Sequence, residues 1–420
     1  MRLPAGLWIT AAARTPITGR SRAQAHLDAA ALASTAVRSV TAPDGAGLGS
    51  AGPAPRSEGA EFGPADAKTG PSGGTHPTGS VTPAAEVGAV VVGNCTGPGG
   101  NLGRIAALGA GLGTAVPGWS VDAQCGSGLA AVLQAAQHAE WSGTDVVAVG
   151  VESPSTAPDR LLDGVPYTQA PMVPAGWEDP DLTAAADRLA LRQGITRARQ
   201  EEFAARSHRL ALAAADHRPR DDDGPRRLDA ARLARFPAVF AETDPTYAVT
   251  GGTAARIADG AAAVRVQACD VPPASVPARA AGLTRPCRIM AAALTGSAPA
   301  LPGLAPVAAI EQVLDATGDT LEGDGRIAVV EVVEAYAVQA LAVLDGVGLA
   351  RPGGCGDEDV DPRVNARGGA LALGHPWGAS GTVAVLQAVQ RLQGQPPGTR
   401  ALVTAAVAGG MGIAMTLEVS

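Results

Sequence analysis

The sequence predicts an α/β protein built from repeated strand–helix–strand units. Three observations carry that reading. Short apolar strand runs alternate with longer alanine-rich helical runs. The second half of the chain repeats the order of elements of the first, although the two share little residue identity. Hydrophobic residues make up 46% of 420 residues while aromatics are 3%, so alanine, valine and leucine must build the core of closely packed layers.

Taken in order, LWITAAARTP reads as a strand entering a turn, and LDAAALASTAVRSV as the helix after it. Residues 42–83 are dense in Gly, Pro, Ser and Ala without apolar periodicity, and they predict a disordered surface insertion. EVGAVVVGN is a buried-strand pattern closed by Gly and Asn. VPGWSVDAQCGSGLAAVLQAAQHAEWSG reads as strand, turn and helix, and TDVVAVGVES as the next strand. From 155 to 245 the pattern changes to a loop or lid segment whose centre, TAAADRLALRQGITRARQEEFAARSHRLALAAADH, is helical, with a cap at Ile195-Thr196. Strand signals resume at IADGAAAVRVQA. The domains are thus 1–154 with 246–283, the inserted segment 155–245, and 284–420. This last part supplies the helix APVAAIEQVLDATG, a strand and helix in RIAVVEVVEAYAVQALAVLDGVG, a loop-to-helix unit in GGALALGHPWGASGTVAVLQAVQRLQG, and two closing strands about a Gly-rich turn.

The formal charge of −8, with no basic run, argues against a nucleic-acid partner. Five scattered cysteines (Cys95, Cys125, Cys269, Cys287, Cys355) form neither a disulfide framework nor a metal site and suit a reducing compartment. No signal-peptide pattern or membrane-length apolar run stands out, so a soluble, cytoplasmic protein is expected.

Two residues invite a chemical reading. Cys125 precedes Gly-Ser-Gly at a strand-to-helix junction, where backbone N–H groups and the helix dipole favour a thiolate and an oxyanion. Taken alone, a small buried thiol at a tight turn accounts for it equally well. His375 lies between Gly374 and Pro376 ahead of a small-residue helix start. A lone histidine there is more often a core residue than a catalyst. The other histidines, His26, His76, His138, His208 and His217, are expected at the surface.

Together and in this order, VDAQCGSGLAA, NARGGALALGHPWGASG and AVAGGMGIAM resemble the thiolase family, and the resemblance runs nearly end to end through ITAAARTPITGR, VGVESPSTAP, RIADGAAAV and VVEVVEAYAVQAL. The resemblance implies the thiolase fold, two similar βαβαβαββ halves in an α-β-α-β-α arrangement with five-stranded sheets and an inserted loop domain. It implies Cys125 as the nucleophile acylated by a coenzyme A thioester, His375 as its activator, and the backbone N–H groups of Cys125 and Ala408 as an oxyanion hole. Coenzyme A thioester would be the substrate, with no bound cofactor or metal. A homodimer or dimer of dimers is implied, its sheets joined near the nucleophile segment.

Departures from the family pattern are as informative. The family's Cys-x-Gly-Gly-Gly-x-Gly block begins here with Ala406, so the thiol that moves the α-proton in carbon–carbon chemistry is missing. The Asn-Glu-Ala-Phe block reads Val333-Glu334-Ala335-Tyr336, and valine cannot hold a water by a side-chain hydrogen bond. Ala335 and Tyr336 are expected to face the acyl group. Ala255 and Arg256 replace a Ser-Gly pair near the pantetheine arm and are expected to bind substrate. Cys355, in an acidic loop, is expected to be incidental. These features favour an acyltransferase that loads Cys125 and delivers to an acceptor. The alternatives are a conventional thiolase using another acid/base such as Tyr336, and a thiolase-like subunit that depends on a small partner protein.

Overall fold

The computed structural model describes residues 6–42, 87–167, 170–273, 283–323 and 325–420. Apart from Ala42, the expected insertion at 42–83 lies outside them, as does His76.

Strands β1 (Leu7–Arg14), β2 (Val87–Gly93), β3 (Gly118–Val121), β4 (Asp145–Glu152) and β5 (Ala258–Ala268) build the first half. β6 (Cys287–Gly296), β7 (Ile327–Val332), β8 (Arg400–Val407) and β9 (Met411–Val419) build the second. The helices are α1 (Ala29–Thr41), α2 (Leu102–Gly109), α3 (Ser127–Ser142), α4 (Leu182–Gln193), α5 (Arg197–Ala213), α6 (Ala305–Thr317), α7 (Ala337–Gly346) and α8 (Trp377–Leu392). β2 and β4 are near-continuous runs of buried Val and Ala, the pattern of strands covered on both faces.

The first half orders its strands β3-β2-β4-β5-β1 and the second β7-β8-β9-β6. In both, the parallel pair (β2 with β4, β7 with β8) is followed by antiparallel neighbours, so the architectural repeat read from the sequence is present. The halves join through two antiparallel pairs, Trp8 with Arg288 and Ile9 with Cys287. Five strands were expected in each half. In the second, the counterpart of β3 is reduced to a single parallel bridge between Val330 and Val364. Pro362 has no N–H to give a ladder, and Asn365, at φ +43°, turns the chain away.

Helix α8 and the N-terminal half of α3 are buried on nearly every side and form the central layer. Their glycines explain two sequence motifs. A Cβ on Gly128 would lie 2.7 Å from the Thr382 backbone nitrogen, and one on Gly381 would lie 2.7 Å from that of Leu129. The Cys-Gly-Ser-Gly and Gly-Ala-Ser-Gly stretches therefore cross backbone against backbone, which draws the two helix N-termini together.

The inserted segment is helical as expected, but Gly194 (φ +64°) splits the run into α4 and α5, with Thr196 capping α5 through Arg199 N–H. It has no separate core. Leu189, Phe203 and Leu233 share one apolar cluster with Val338 and Leu341 of α7. Buried ion pairs hold it at both ends: Arg14 with Asp222 (2.6 Å) and Arg199 with Asp345 (2.6 Å). His208 of α5, expected at the surface, is buried. Its Nδ1 accepts from the Arg226 N–H at 3.2 Å, because the chain after α5 folds back over it. Among the described residues, no helix is long and apolar enough to cross a membrane.

Candidate active site

Cys125 occupies a single 3₁₀ turn, Gln124–Gly126, between β3 and α3. The turn requires Gln124 in the left-handed region at φ +49°. Asp122 holds it there by accepting from the Gln124 N–H at 2.8 Å. Ser127 locks the other side, its Oγ accepting from Ala123 N–H (2.9 Å) and donating to Gln124 C=O (2.7 Å). Gly126 follows the cysteine because a Cβ there would strike Val407 at 2.5 Å.

His375 arrives from the second half. Gly374, at φ +110°, turns the chain, and the His375 N–H donates to Arg256 C=O at 2.8 Å. Pro376 then caps α8. The imidazole Nδ1 lies 2.7 Å from Ser380 Oγ, one turn into α8, and Nε2 lies 3.3 Å from Cys125 Sγ. Two side chains 250 residues apart in sequence thus meet within hydrogen-bond reach.

Both groups rest neutral. Burial, then the nearby Glu152 carboxylate, pushes the Cys125 thiol up to about 12. Burial pulls His375 down to about 4. A helix N-terminus alone would favour thiolate, but here burial and Glu152 outweigh it. The thiolate is therefore accessible chiefly by passing its proton to His375, whose imidazolium would offset the sulfur's charge.

Three positioning groups went unassigned in the sequence. Ser380 orients the imidazole. Glu152, fully buried at the end of β4, accepts from Asn94 Nδ2 (2.8 Å), Cys95 N–H (3.1 Å), Thr96 N–H (3.0 Å) and Gly378 N–H (3.0 Å), so it ties the first turn of α8 to the first half. Glu334, also fully buried, accepts from Ser207 Oγ (2.8 Å), Asn365 Nδ2 (2.6 Å) and Leu371 N–H (3.1 Å), fixing the loop that leads to His375. A glutamate ending a buried strand, as in VGVES and VVEA, was the available signal for both carboxylates.

A cavity with about 50 Å³ of free space opens on Cys125. Its walls are apolar, from Leu182, Ala186, Leu189, Pro302 and Val407, and it includes Ala335, Tyr336, Ala406, Ala408, Gly303 and Gln339. Ala406, Ala408, Ala335 and Tyr336 thus line one cavity with Cys125. The Tyr336 hydroxyl is 3.0 Å from Thr183 Oγ1 and, chiefly through burial, stays protonated beyond its ordinary range.

The remaining expected residues lie elsewhere. Val333 is buried with its N–H on Thr404 C=O (2.9 Å), and it lines a crevice with Gly374, Pro376 and Ser380 on another side of His375. Ala255 donates its N–H to Ala335 C=O at 2.9 Å and does not line the cavity. The Arg256 guanidinium pairs with Asp223 and covers Gly19, while its carbonyl holds His375. In this structure Arg256 supports the loop bearing the histidine, and Ala255 holds the turn before α7. Cys355 is exposed, and its thiol is raised by partial burial and Glu202.

A doubled α/β frame with a cysteine–histidine pair at two apposed helix N-termini defines the class of thiolase-fold enzymes. The chain belongs to the thiolase family: "Thiolase, N-terminal domain" matches residues 78–269 and "Thiolase, C-terminal domain" matches 283–419. It is 35% identical over 346 residues to the putative acetyl-CoA C-acetyltransferase YhfS of Bacillus subtilis, covering 80% of this chain and 88% of that protein. It is 32% identical over 366 residues to an acetyl-CoA acetyltransferase of Pseudomonas aeruginosa, covering 80% and 88%. The crystal structure of the Bacillus anthracis acetyl-CoA acetyltransferase superposes with a TM-score of 0.75 at 26% identity, covering 99% of both chains. The family and these relatives support an enzyme that transfers acyl groups.

Proposed function

We propose that Cys125 takes an acyl group from a coenzyme A thioester and passes it to an acceptor other than the α-carbon of a second thioester. The Cys125 proton moves to His375 Nε2 as sulfur attacks the carbonyl. The new S–C bond forms, the S–C bond to coenzyme A breaks, and the departing thiolate takes the proton back from His375. The backbone N–H groups of Cys125 and Ala408 are the donors assigned to the developing oxyanion. In the second half-reaction an acceptor gives its proton to His375 as it attacks the acyl-cysteine; the acyl–sulfur bond breaks, and the departing Cys125 sulfur takes the proton from His375, restoring the thiol.

The observation that carries this reading is the asymmetry of the cavity. One side has the 3.3 Å Cys125–His375 contact, while Ala406 offers only a methyl group where condensation needs a thiol to move the α-proton. Tyr336 is a poor substitute base, since burial and nearby negative charge keep its hydroxyl protonated. This disfavours the conventional thiolase reading. A subunit inactive without a partner protein is disfavoured by the completeness of the Cys125–His375–Ser380 array within one chain. Trapping tests the reading: mass spectrometry after incubation with acetyl-CoA should find the acetyl group on Cys125 and none in Cys125→Ala. An unlabelled folded protein across a panel of acyl-CoAs would sink it.

A homodimer through β3 belongs to the same reading. Among the described residues β3 pairs only with β2, and Ile105, Leu108 and Trp141 stand exposed on α2 and α3, the helices that flank it. Light scattering at micromolar concentration should report twice the chain mass, and a strict monomer would refute it.

A further inference from the structure

Resting on the acyl-Cys125 reading, we propose that the cavity beside Cys125 selects an acyl chain carrying an uncharged hydrogen-bonding group, a hydroxyl foremost, recognised by Gln339. Gln339 sits in the first turn of α7 with its side chain in the cavity that Cys125 and Ala406 also line. It is 5% exposed, yet neither its Nε2 nor its Oε1 has a hydrogen-bond partner among the described residues. Buried polar groups are nearly always paired, so a carboxamide unpaired at both ends in the wall of a binding cavity marks the place of a ligand's polar group.

The neighbours narrow the chemistry. Gly303 leaves room for the Gln339 stem, since a Cβ there would lie 3.3 Å from Gln339 Cγ. Tyr336, the cavity's other polar side chain besides the thiol, already shares a hydrogen bond with Thr183 at 3.0 Å. Among the described residues no Lys, Arg or His lines the cavity, so a carboxylate-bearing chain would enter without a counter-charge from its walls. A carboxamide presents a donor and an acceptor together. A hydroxyl satisfies both, whereas a ketone or ether satisfies only Nε2 and an alkyl chain neither. Sites built to hydrogen-bond a hydroxyl reject the analogue lacking it far more strongly than an apolar pocket rejects one extra hydroxyl.

The experiment compares second-order rates of Cys125 acylation, followed by intact mass, with butyryl-, 3-hydroxybutyryl-, 4-hydroxybutyryl- and succinyl-CoA. At least one hydroxyacyl thioester should load tenfold or more faster than butyryl-CoA, and succinyl-CoA should be the slowest. In Gln339→Met the hydroxyacyl-to-butyryl ratio should fall to about one. Wild-type protein that loads butyryl-CoA as fast as both hydroxyacyl thioesters overturns the proposal, whether or not the variant folds. So does a Gln339→Met protein that keeps the preference. If no thioester, acetyl-CoA included, labels Cys125, the underlying acyl-enzyme reading itself has failed.

Discussion

Replacing Ser380 by alanine isolates the group that aims His375 without touching the cavity. For Nε2 to receive the Cys125 proton, the ring's own proton must sit on Nδ1, where Ser380 Oγ accepts it at 2.7 Å. Ser380→Ala removes that acceptor from a buried site and leaves Nδ1–H unpaired or the ring free to turn. A net buried hydrogen bond of about 1–2 kcal/mol corresponds to a roughly 5- to 30-fold loss in rate if it acts on the transition state. Since Ser380 does not line the cavity, the loss should fall on the rate of Cys125 acylation at saturating acyl-CoA, with apparent affinity little changed. Rapid-quench mass spectrometry over a range of acetyl-CoA concentrations separates the two. A variant that acylates at the wild-type rate, or loses only affinity, would show that the Ser380–His375 contact does not position the base.

Three other outcomes follow from the same structure. Ala406→Cys places a thiol on the cavity wall and should raise acetoacetyl-CoA formation from acetyl-CoA at least tenfold, measured by product chromatography; no gain would mean that more than this thiol is lacking. His375 and His208 are both held near 4, the first by burial and the second by burial with Arg226 and Arg256, so the unfolded chain binds protons that the folded one refuses. Stability should therefore be full above about pH 6.5 and decline as pH falls towards 4, by roughly 3 kcal/mol for His375 and less for His208, and urea midpoints that stay flat over that window would contradict it. Asp222→Ala leaves Arg14, 6% exposed at its side chain, without its counter-charge and Ile17 N–H without its acceptor. It should cost about 3–5 kcal/mol in urea unfolding, with a loss below 1 kcal/mol refuting that anchor.

Much of this architecture is legible in the chain because its signals are local. Val-rich runs such as VGAVVVG mark buried strands, and Asp28 and Thr196 cap helices as their types suggest. The pairing of Cys125 with His375 was legible only through family resemblance, since neither motif carries a sign of the other 250 residues away. What escaped was long-range. Nothing local marks His208 as buried, because the covering chain belongs to a later segment. Arg256 reads as a substitution in a binding motif, yet its carbonyl holds His375 and its guanidinium pairs with Asp223. Val333 follows β7 beside the motif that lines the cavity, but its side chain faces another crevice. Strand alternation would put Val333 and Ala335 on one face, but the strand ends at Val332 and the chain turns towards α7 between them.

The central claim is that this protein acylates Cys125 but does not join two acetyl groups. One incubation with acetyl-CoA, read in parallel for acetyl-Cys125 by mass spectrometry and for acetoacetyl-CoA by chromatography, tests it most directly. The account predicts labelled Cys125 within the mixing time of the assay and, over the same enzyme turnovers, acetoacetyl-CoA at no more than about a hundredth of the acylation rate, the loss expected when a single acid/base group is absent. Acetoacetyl-CoA formed as fast as Cys125 is labelled would contradict it, and would require another residue to move the proton that Ala406 cannot.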